Sequence, residues 1–492
     1  GSMNNRVKPQ WWVAILALTA LVIMHAAPGY TAAPVRQLAL TQVNIVDIHT
    51  GRIARNATIL IEGNRIRRIA NEAIAIPAGA RVVSLPNKFV IPGLWDMHVH
   101  SMLDERDPDW MFPLMLVNGV TGIRDMGSFI PLVRMLRLRA DIESGQRLGP
   151  RMMLAGPIVD GFNTVWAQPS GIPDVSEAIR AVRALKEQGA DFVKVFPLLG
   201  RDTYFAIVAE AKRLRIPIAG QVPEPVTAAE ASDAGQRSIE HLERIILGCS
   251  DIEADVVAIK QEVIERLEIQ PDRETLAELV PTPEETAQTL ATVNPDRCSA
   301  LLARFARNGT AVVPTLNVTN AYRFSASRLN DPRLATLPAT IRDAWTTMHA
   351  LMSLVQEDAA QLTTIEYLSR RLIVPMAEAG VPMLAGTHAA SLSPFIFPGA
   401  SLHDELAALV TAGLTPLGAL QTATIAPARF ANQETDFGSV TVGTLADLLV
   451  LDANPLDHIS NTKRIHAVVT NGRLLDRQEL DAMARRVARM PR

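Results

Sequence analysis

The stretch Ile91-Pro-Gly-Leu-Trp-Asp-Met-His98-Val-His100 carries the strongest local signal in the chain. Its apolar residues predict a buried strand over Gly93 to His100, in which two histidines lie two positions apart. Because side chains alternate along a strand, His98 and His100 point to the same face and can reach one metal ion from the strand's end. A lone histidine is usually structural, whereas this pair, followed by a polar loop, favours a metal site.

Seven further apolar runs follow this strand, mostly separated by helical stretches such as Val175 to Glu187, Thr203 to Arg213 and Ile341 to Glu357. These runs predict strands at Val120 to Met126, Arg151 to Gly156, Phe192 to Pro197, Pro217 to Val222, Ser238 to Leu242, Ala311 to Leu316 and Pro382 to His388. Eight strands alternating with helices predict a parallel α/β fold, and a closed (β/α)8 barrel fits best. An open doubly wound sheet is the alternative, but no Gly-x-Gly-x-x-Gly follows the first strand, which weakens a dinucleotide-binding reading.

Both ends of the chain show short β-type runs with turn signals between them. These runs are Leu38 to Asp47, Ala57 to Glu62, Arg65 to Ala70, Arg81 to Leu85, Gly438 to Val442, Ala446 to Leu451 and Ile465 to Thr470. They predict one small β-domain, residues 34–90 with 435–492, beside a barrel of residues 91–434. Within the barrel, residues 251–295 are expected to form a helical insertion that either shapes the mouth of the site or is a solvated decoration.

The first 33 residues have the layout of an expression scar followed by a secretory signal. Gly1-Ser2 precedes Met3, Arg6 and Lys8 precede the apolar run Trp11 to Met24, and Thr31-Ala32-Ala33 offers a cleavage site. We therefore expect an exported protein, periplasmic or extracellular, with no stable membrane span after cleavage. An uncleaved anchor is the weaker alternative, because the apolar run is shorter than the ~20 residues that a membrane-spanning helix requires.

Composition excludes several classes of function. With 48 basic against 51 acidic residues, the chain lacks the electrostatic footprint of a nucleic-acid-binding protein. Its two cysteines, Cys249 and Cys298, cannot form a disulfide framework, and neither belongs to a Cys-x-x-Cys pair. A bound metal would therefore depend on histidines and carboxylates.

Polar residues recur where the predicted strands end, which is where active sites of such barrels are built. Lys194, in Phe192-Val-Lys-Val-Phe, must face the polar mouth, pair with an anion or be chemically modified, because burying a lone ammonium is costly. Gln221, His241 and His388 lie at the ends of strands five, six and eight. Together with the first strand, they bring four histidines and a lysine to one face.

Four further residues are weaker candidates for substrate contacts. His403, in Ser401-Leu-His-Asp-Glu-Leu, either lines the mouth or has a capping or core role. Trp166, Tyr204 and Arg201 follow strands three and four, where either a substrate contact or a packing role fits.

From Leu38 to Leu480 the chain resembles the metal-dependent amidohydrolase superfamily, in its imidazolonepropionase-like and prolidase-like branch. The motifs that carry the resemblance are Ile91-Pro-Gly-Leu-Trp-Asp-Met-His-Val-His, Phe192-Val-Lys-Val-Phe, Ser238-Ile-Glu-His-Leu, Pro398-Gly-Ala-Ser-Leu-His-Asp-Glu-Leu and Gly443-Thr-Leu-Ala-Asp-Leu-Leu-Val-Leu-Asp-Ala-Asn-Pro-Leu. The resemblance implies a (β/α)8 TIM barrel with a small β-sandwich formed from both chain ends. It also implies one or two divalent ions, with zinc favoured, and hydrolysis of amide or related bonds by a metal-bound hydroxide.

The resemblance assigns His98 and His100 to the more buried metal, Lys194 to a carboxylated bridge between two ions and His241 to the second metal. Two positions depart from the family pattern. Gln221 stands where Gly-His-Val supplies a histidine, and a glutamine oxygen is a weak, neutral zinc ligand. His388 stands where Gly-Thr-Asp supplies the aspartate that touches the metal and takes the proton from the attacking water.

These departures leave three hypotheses open. In the first, His98, His100 and His388 hold a single zinc or Fe(II) ion. In the second, His388 replaces the aspartate only as general base. In the third, the family chemistry is lost. We expect an exported metal-dependent hydrolase that cleaves an amide bond of a small peptide-like or N-acyl substrate. The rival is a diverged barrel, either a lyase, an iron-dependent enzyme or a binding protein, and the sequence leaves a homo-oligomer open.

Overall fold

The computed structural model describes residues 36–72, 74–161, 174–354 and 359–491. The predicted leader, residues 1–33, and Trp166 lie outside these residues. No helix in the described ranges is long and apolar enough to span a bilayer.

Sixteen strands lie in the described residues, and their positions follow the apolar runs of the sequence. They are β1 (Gln37–Val46), β2 (Ile53–Glu62), β3 (Arg65–Ala70), β4 (Arg81–Ser84), β5 (Phe89–Pro92), β6 (Leu94–His100), β7 (Val120–Asp125), β8 (Arg151–Leu154), β9 (Val193–Val195), β10 (Ile218–Gly220), β11 (Ser238–Glu240), β12 (Ala311–Val313), β13 (Ala389–Ala390), β14 (Leu448–Leu451), β15 (Ile465–Thr470) and β16 (Arg473–Leu475).

Strands from both chain ends share one eight-stranded sheet, in the order β16-β15-β14-β5-β1-β2-β3 with β4 beside β1. Strand β14 joins the two ends, because it pairs with β5 on one side and with β15 on the other. The buried face of this sheet has its own apolar core, which includes Leu40, Ile59 and Val450. The sheet contains most of the β-type runs predicted at both chain ends, although residues 438–442, predicted as a strand, contain none.

The middle of the chain forms a ring of parallel strands. β13-β6-β7-β8 and β12-β11-β10-β9 are two four-stranded parallel sheets. Parallel bridges between Val159 and Val195, and between Val312 and Met383, join one sheet to the other at both edges. The pairing thus returns to β6 in the order that a (β/α)8 barrel requires, and it places the carboxyl ends of all eight strands at one end of the ring.

Most helices lie between these strands, as the α/β prediction requires. Val175–Gln188 shows why such a segment starts and stops where it does: the Asp174 side chain accepts a hydrogen bond from the Glu177 amide, and Gly189 ends the helix in a left-handed conformation. The other α-helices are Asp107–Val117, Leu132–Glu143, Arg201–Leu214, Ala228–Asp233, Glu243–Gly248, Glu253–Ile269, Arg273–Ala277, Pro283–Ala291, Pro295–Asn308, Leu316–Ala321, Ala339–Ser353, Ala359–Ala379, Ala400–Thr411, Pro416–Thr422, Ile425–Phe430 and Arg477–Ala488, with 3-10 helices at Ala326–Asn330, Pro332–Thr336 and Ile459–Lys463.

A disulfide closes the base of the helical insertion. Cys249 follows helix Glu243–Gly248, Cys298 lies in helix Pro295–Asn308, and the two are bonded across a separation of 49 residues. The Asn294 amide also donates to the Cys249 carbonyl, at 2.8 Å. Sequence reasoning excluded a disulfide framework but did not foresee this single bond, because spacing alone cannot show that two elements meet.

Candidate metal centre

Four histidines predicted from strand ends meet at the carboxyl end of the ring. His98 and His100 lie on β6, His241 follows β11 and His388 precedes β13. Their ring centroids are 5.0 to 5.4 Å apart in five of the pairs that they form. One ring nitrogen each from His98, His100 and His388 lies within 4.8 Å of the other two, so these three can bind the same ion.

The backbone around His388 is fixed by contacts to the first strand of the ring. The His388 amide donates to the His98 carbonyl at 2.7 Å, and the Thr387 amide and hydroxyl donate to the Asp96 carboxylate at 3.0 and 2.6 Å. His388 and His241 both have left-handed backbones, with φ of 66° and 68°. Few residue types accept this region, and histidine is among the better tolerated.

Burial keeps these imidazoles neutral. It is the largest cause that holds the pKa of His98 and of His100 well below the usual value, and a positive charge on Lys194 acts in the same direction. Burial likewise lowers the pKa of His388 to about 4. A neutral imidazole has a free lone pair on one ring nitrogen, which is the form that binds metal.

Three buried polar groups at this end of the ring make no hydrogen bond within the described residues. They are both ring nitrogens of His98, the Nζ atom of Lys194 and the Oε1 atom of Gln221. Burial lowers the pKa of Lys194 to about 7, which reflects the cost of an ammonium here. Buried polar atoms usually have partners, and the Nε2 atom of His98, which has none and lies beside two further imidazoles, fits a divalent cation.

Two charged residues inside the ring support the histidines: Glu240, which ends predicted strand six, and Arg124, which sequence reasoning missed. Glu240 on β11 places Oε1 3.3 Å from Nδ1 of His98, and Arg124 on β7 contacts the same carboxylate. Arg124 also donates to the Met97 carbonyl at 2.8 Å. A carboxylate next to a ligating histidine is typical of metal sites, and the available signal was a charged residue within an apolar strand.

Two of the predicted substrate-contact residues, Tyr204 and Arg201, make hydrogen bonds to other side chains of the protein. The Tyr204 hydroxyl is buried and donates to Gln236 at 2.7 Å. Arg201 binds Glu230 with both terminal nitrogens. These contacts correspond to the packing role that the sequence left open, although they do not test a substrate contact.

His403 is buried, and both of its ring nitrogens contact other residues. Its Nδ1 is 2.8 Å from the Thr462 hydroxyl, and its Nε2 is 2.7 Å from the Asn118 carbonyl. Both ring nitrogens therefore have structural partners, which corresponds to the core role rather than to the mouth of the site.

Comparison with known proteins gives one family match and a shared fold. Residues 342–475 match the model of the amidohydrolase family. Among solved structures, a bottromycin amidohydrolase has a TM-score of 0.69 at 23% identity, covering 92% of this chain and 91% of that one. A prolidase complexed with N-methylphosphonate-L-proline has a TM-score of 0.62 at 21% identity, covering 90% of this chain and 100% of that one.

A Xaa-Pro dipeptidase with bound methionine in the active site has a TM-score of 0.61 at 21% identity, covering 89% of this chain and all of that one. No curated protein sequence matches the chain. The family match agrees with the predicted resemblance to amidohydrolases, and the solved structures, at 21 to 23% identity, share the fold of this chain. The family match also agrees with the prediction of an enzyme that acts on carbon–nitrogen bonds.

Proposed function

We propose that this protein is a metal-dependent hydrolase that cleaves an amide bond of a small peptide-like or N-acyl substrate. The observation that supports this proposal most is the cluster of three buried imidazoles, those of His98, His100 and His388, at the carboxyl end of eight parallel strands. We take the ring as a closed (β/α)8 barrel, in which this end forms the active site. The prolidase and the dipeptidase among the similar structures favour a peptide-like substrate.

In this proposal, His98, His100 and His388 hold one divalent ion, with zinc favoured and Fe(II) as the alternative. Such an ion polarises a substrate carbonyl and lowers the pKa of water to about 7. This assignment favours the three-histidine hypothesis over His388 as a free base, because a His388 nitrogen lies in the same cluster as those of His98 and His100.

Other residues at this end of the ring bind and orient the substrate. The Lys194 ammonium can donate to a substrate carbonyl or carboxylate, and the Gln221 oxygen can accept from an amide N–H, since neither atom has a hydrogen-bond partner in the described chain. Carboxylation of Lys194 would instead add an oxygen ligand, and mass spectrometry of the intact protein distinguishes the two forms. His241 is turned toward Thr315 by a contact at Nδ1, which limits how its ring can rotate.

Metal analysis tests the proposal. Purified protein is expected to contain a divalent metal, to lose it in the His388→Ala variant and to retain it in His49→Ala, whose histidine is exposed and outside the site. The metal-loaded protein is then assayed on Xaa-Pro dipeptides and N-acyl amino acids. Wild-type protein without metal after reloading contradicts the proposal, whereas metal binding without hydrolysis favours the diverged lyase, iron-dependent or binding alternatives.

We further propose that the protein is exported. The Cys249–Cys298 disulfide supports this location, because such bonds persist in oxidising compartments and are rare in the cytosol of mesophiles. Cell fractionation with N-terminal sequencing is the test, and the expected mature chain begins near Pro34. A full-length chain recovered with the cytosolic fraction contradicts export.

A further inference from the structure

We propose that Asp125 is a positioning residue that determines which ring nitrogen of His100 is presented to the ion. The inference rests on the proposed metal site, but its structural part concerns only the described residues. Asp125 ends β7, next to the strand that carries His100, and its side chain is fully buried.

The Asp125 carboxylate holds together the loops that follow two neighbouring strands. From the loop after β6, the Ser101 amide and hydroxyl donate to Oδ2 at 2.8 and 2.7 Å. From the loop after β7, the Gly127 amide donates to Oδ1 at 3.0 Å and the Ser128 hydroxyl donates at 2.9 Å. Four donors from two segments therefore converge on one buried carboxylate, which fixes both loops relative to each other.

The Gly127 carbonyl is the contact that reaches the histidine. Its oxygen lies 2.6 Å from Nδ1 of His100. A carbonyl oxygen only accepts, so Nδ1 carries the proton and donates, and a neutral ring then has its lone pair on Nε2. The orientation of one peptide group thus selects the tautomer of His100.

Only glycine fits at position 127 in this turn. Its φ is +121°, and a Cβ atom at this position would lie 2.2 Å from Cγ1 of Ile158. Asp125 holds the amide of the same residue whose carbonyl contacts His100. If the carboxylate loses its capacity to accept, the turn relaxes and the Nδ1–H form of His100 is no longer enforced.

The test compares Asp125→Asn and Ser128→Ala with Asp447→Asn. An asparagine replaces one acceptor oxygen by an NH2 group, and Ser128→Ala removes a single donor from the same carboxylate. Asp447 is a matched control, because it is also buried and accepts from the Arg151 side chain and the Asn471 amide, neither of which contacts the histidines in the described residues.

Two measurements are made on each purified variant: zinc affinity by chelator competition, and the tautomer of His100 in metal-free protein by ¹⁵N NMR of labelled histidine. For Asp125→Asn we expect about 10- to 100-fold weaker zinc binding and a loss of the Nδ1–H signal of His100. That signal is assigned as the one that disappears from the spectrum of the His100→Gln variant. Ser128→Ala is expected to shift both readouts in the same direction by less, and it decides the question if Asp125→Asn does not fold. Asp447→Asn is expected to lower the melting temperature alone.

The proposal is overturned if the foldable variants at Asp125 or Ser128 keep both the wild-type tautomer and the wild-type affinity, or if Asp447→Asn weakens zinc binding equally. Failure of the proposed function is distinguishable from failure of this inference. Wild-type protein that binds no zinc contradicts the metal site, while the NMR comparison in metal-free protein still supports or overturns the role of Asp125.

Discussion

Removal of the Cys249–Cys298 disulfide provides a quantitative test of how the insertion is anchored. The bond joins residues 49 apart, so it restricts a loop of that length in the unfolded chain. The chain-entropy relation gives about 14 cal/mol/K for such a loop, which corresponds to about 4 kcal/mol of stability at 25 °C. We therefore expect the Cys249→Ser, Cys298→Ser double variant to unfold with a free energy lower by up to about 4 kcal/mol.

The assay is urea unfolding followed by tryptophan fluorescence, with and without reductant. Wild-type protein is expected to lose stability on reduction to the level of the double variant, and reductant should leave the double variant unchanged. Thiol titration of the denatured, unreduced wild type should detect no free thiol. Two titratable thiols, or the same urea midpoint in wild type and double variant, would refute the reasoning.

Three further predictions concern the ring and the site. Gly220→Ala is expected to destabilise the protein by about 3 kcal/mol or more, because its Cβ would lie 2.0 Å from a backbone oxygen and its φ is +142°. Gly380→Ala, with open space around its Cβ, is the control and should cost about 1–2 kcal/mol. The melting temperatures of the two variants are compared. Tyr204→Phe should cost about 1–3 kcal/mol by leaving a buried acceptor unpaired, with kcat/KM unchanged; a selective rise in KM would instead indicate a substrate contact. If the parent is a hydrolase, the His388→Asp, Gln221→His double variant should not be required for amide hydrolysis; hydrolysis by the double variant alone, at full metal occupancy, would identify the parent as a diverged member.

Sequence reasoning located most of the strands because their apolar runs are local signals. The predicted run Val120 to Met126 corresponds to β7 within one residue, and Arg65 to Ala70 corresponds to β3 at both ends. The last strand of the ring was harder to locate from the sequence. The predicted run Pro382 to His388 contains only an isolated bridge at Met383, and the regular pairing follows it at Ala389–Ala390.

The histidines of the site were predictable because parallel strands bring their carboxyl ends to one place. The partners of other side chains were not, since they depend on elements distant in sequence. His403 contacts a residue 285 positions away, and Tyr204 contacts one 32 positions away. Asp125 carries no ligand-like spacing, so its role depends on the two loops that meet at its carboxylate.

The left-handed backbone at His388 limits how this site can change over evolutionary time. At φ 66°, a β-branched residue would be strongly disfavoured, whereas aspartate, asparagine and histidine are tolerated. The aspartate that the family resemblance implies and the histidine found here can therefore exchange without rebuilding the strand end. In the genetic code, Asp to His and His to Gln are each single-nucleotide changes, so the donor atoms at positions 388 and 221 could have been altered in two point mutations while the scaffold that aims them stayed intact.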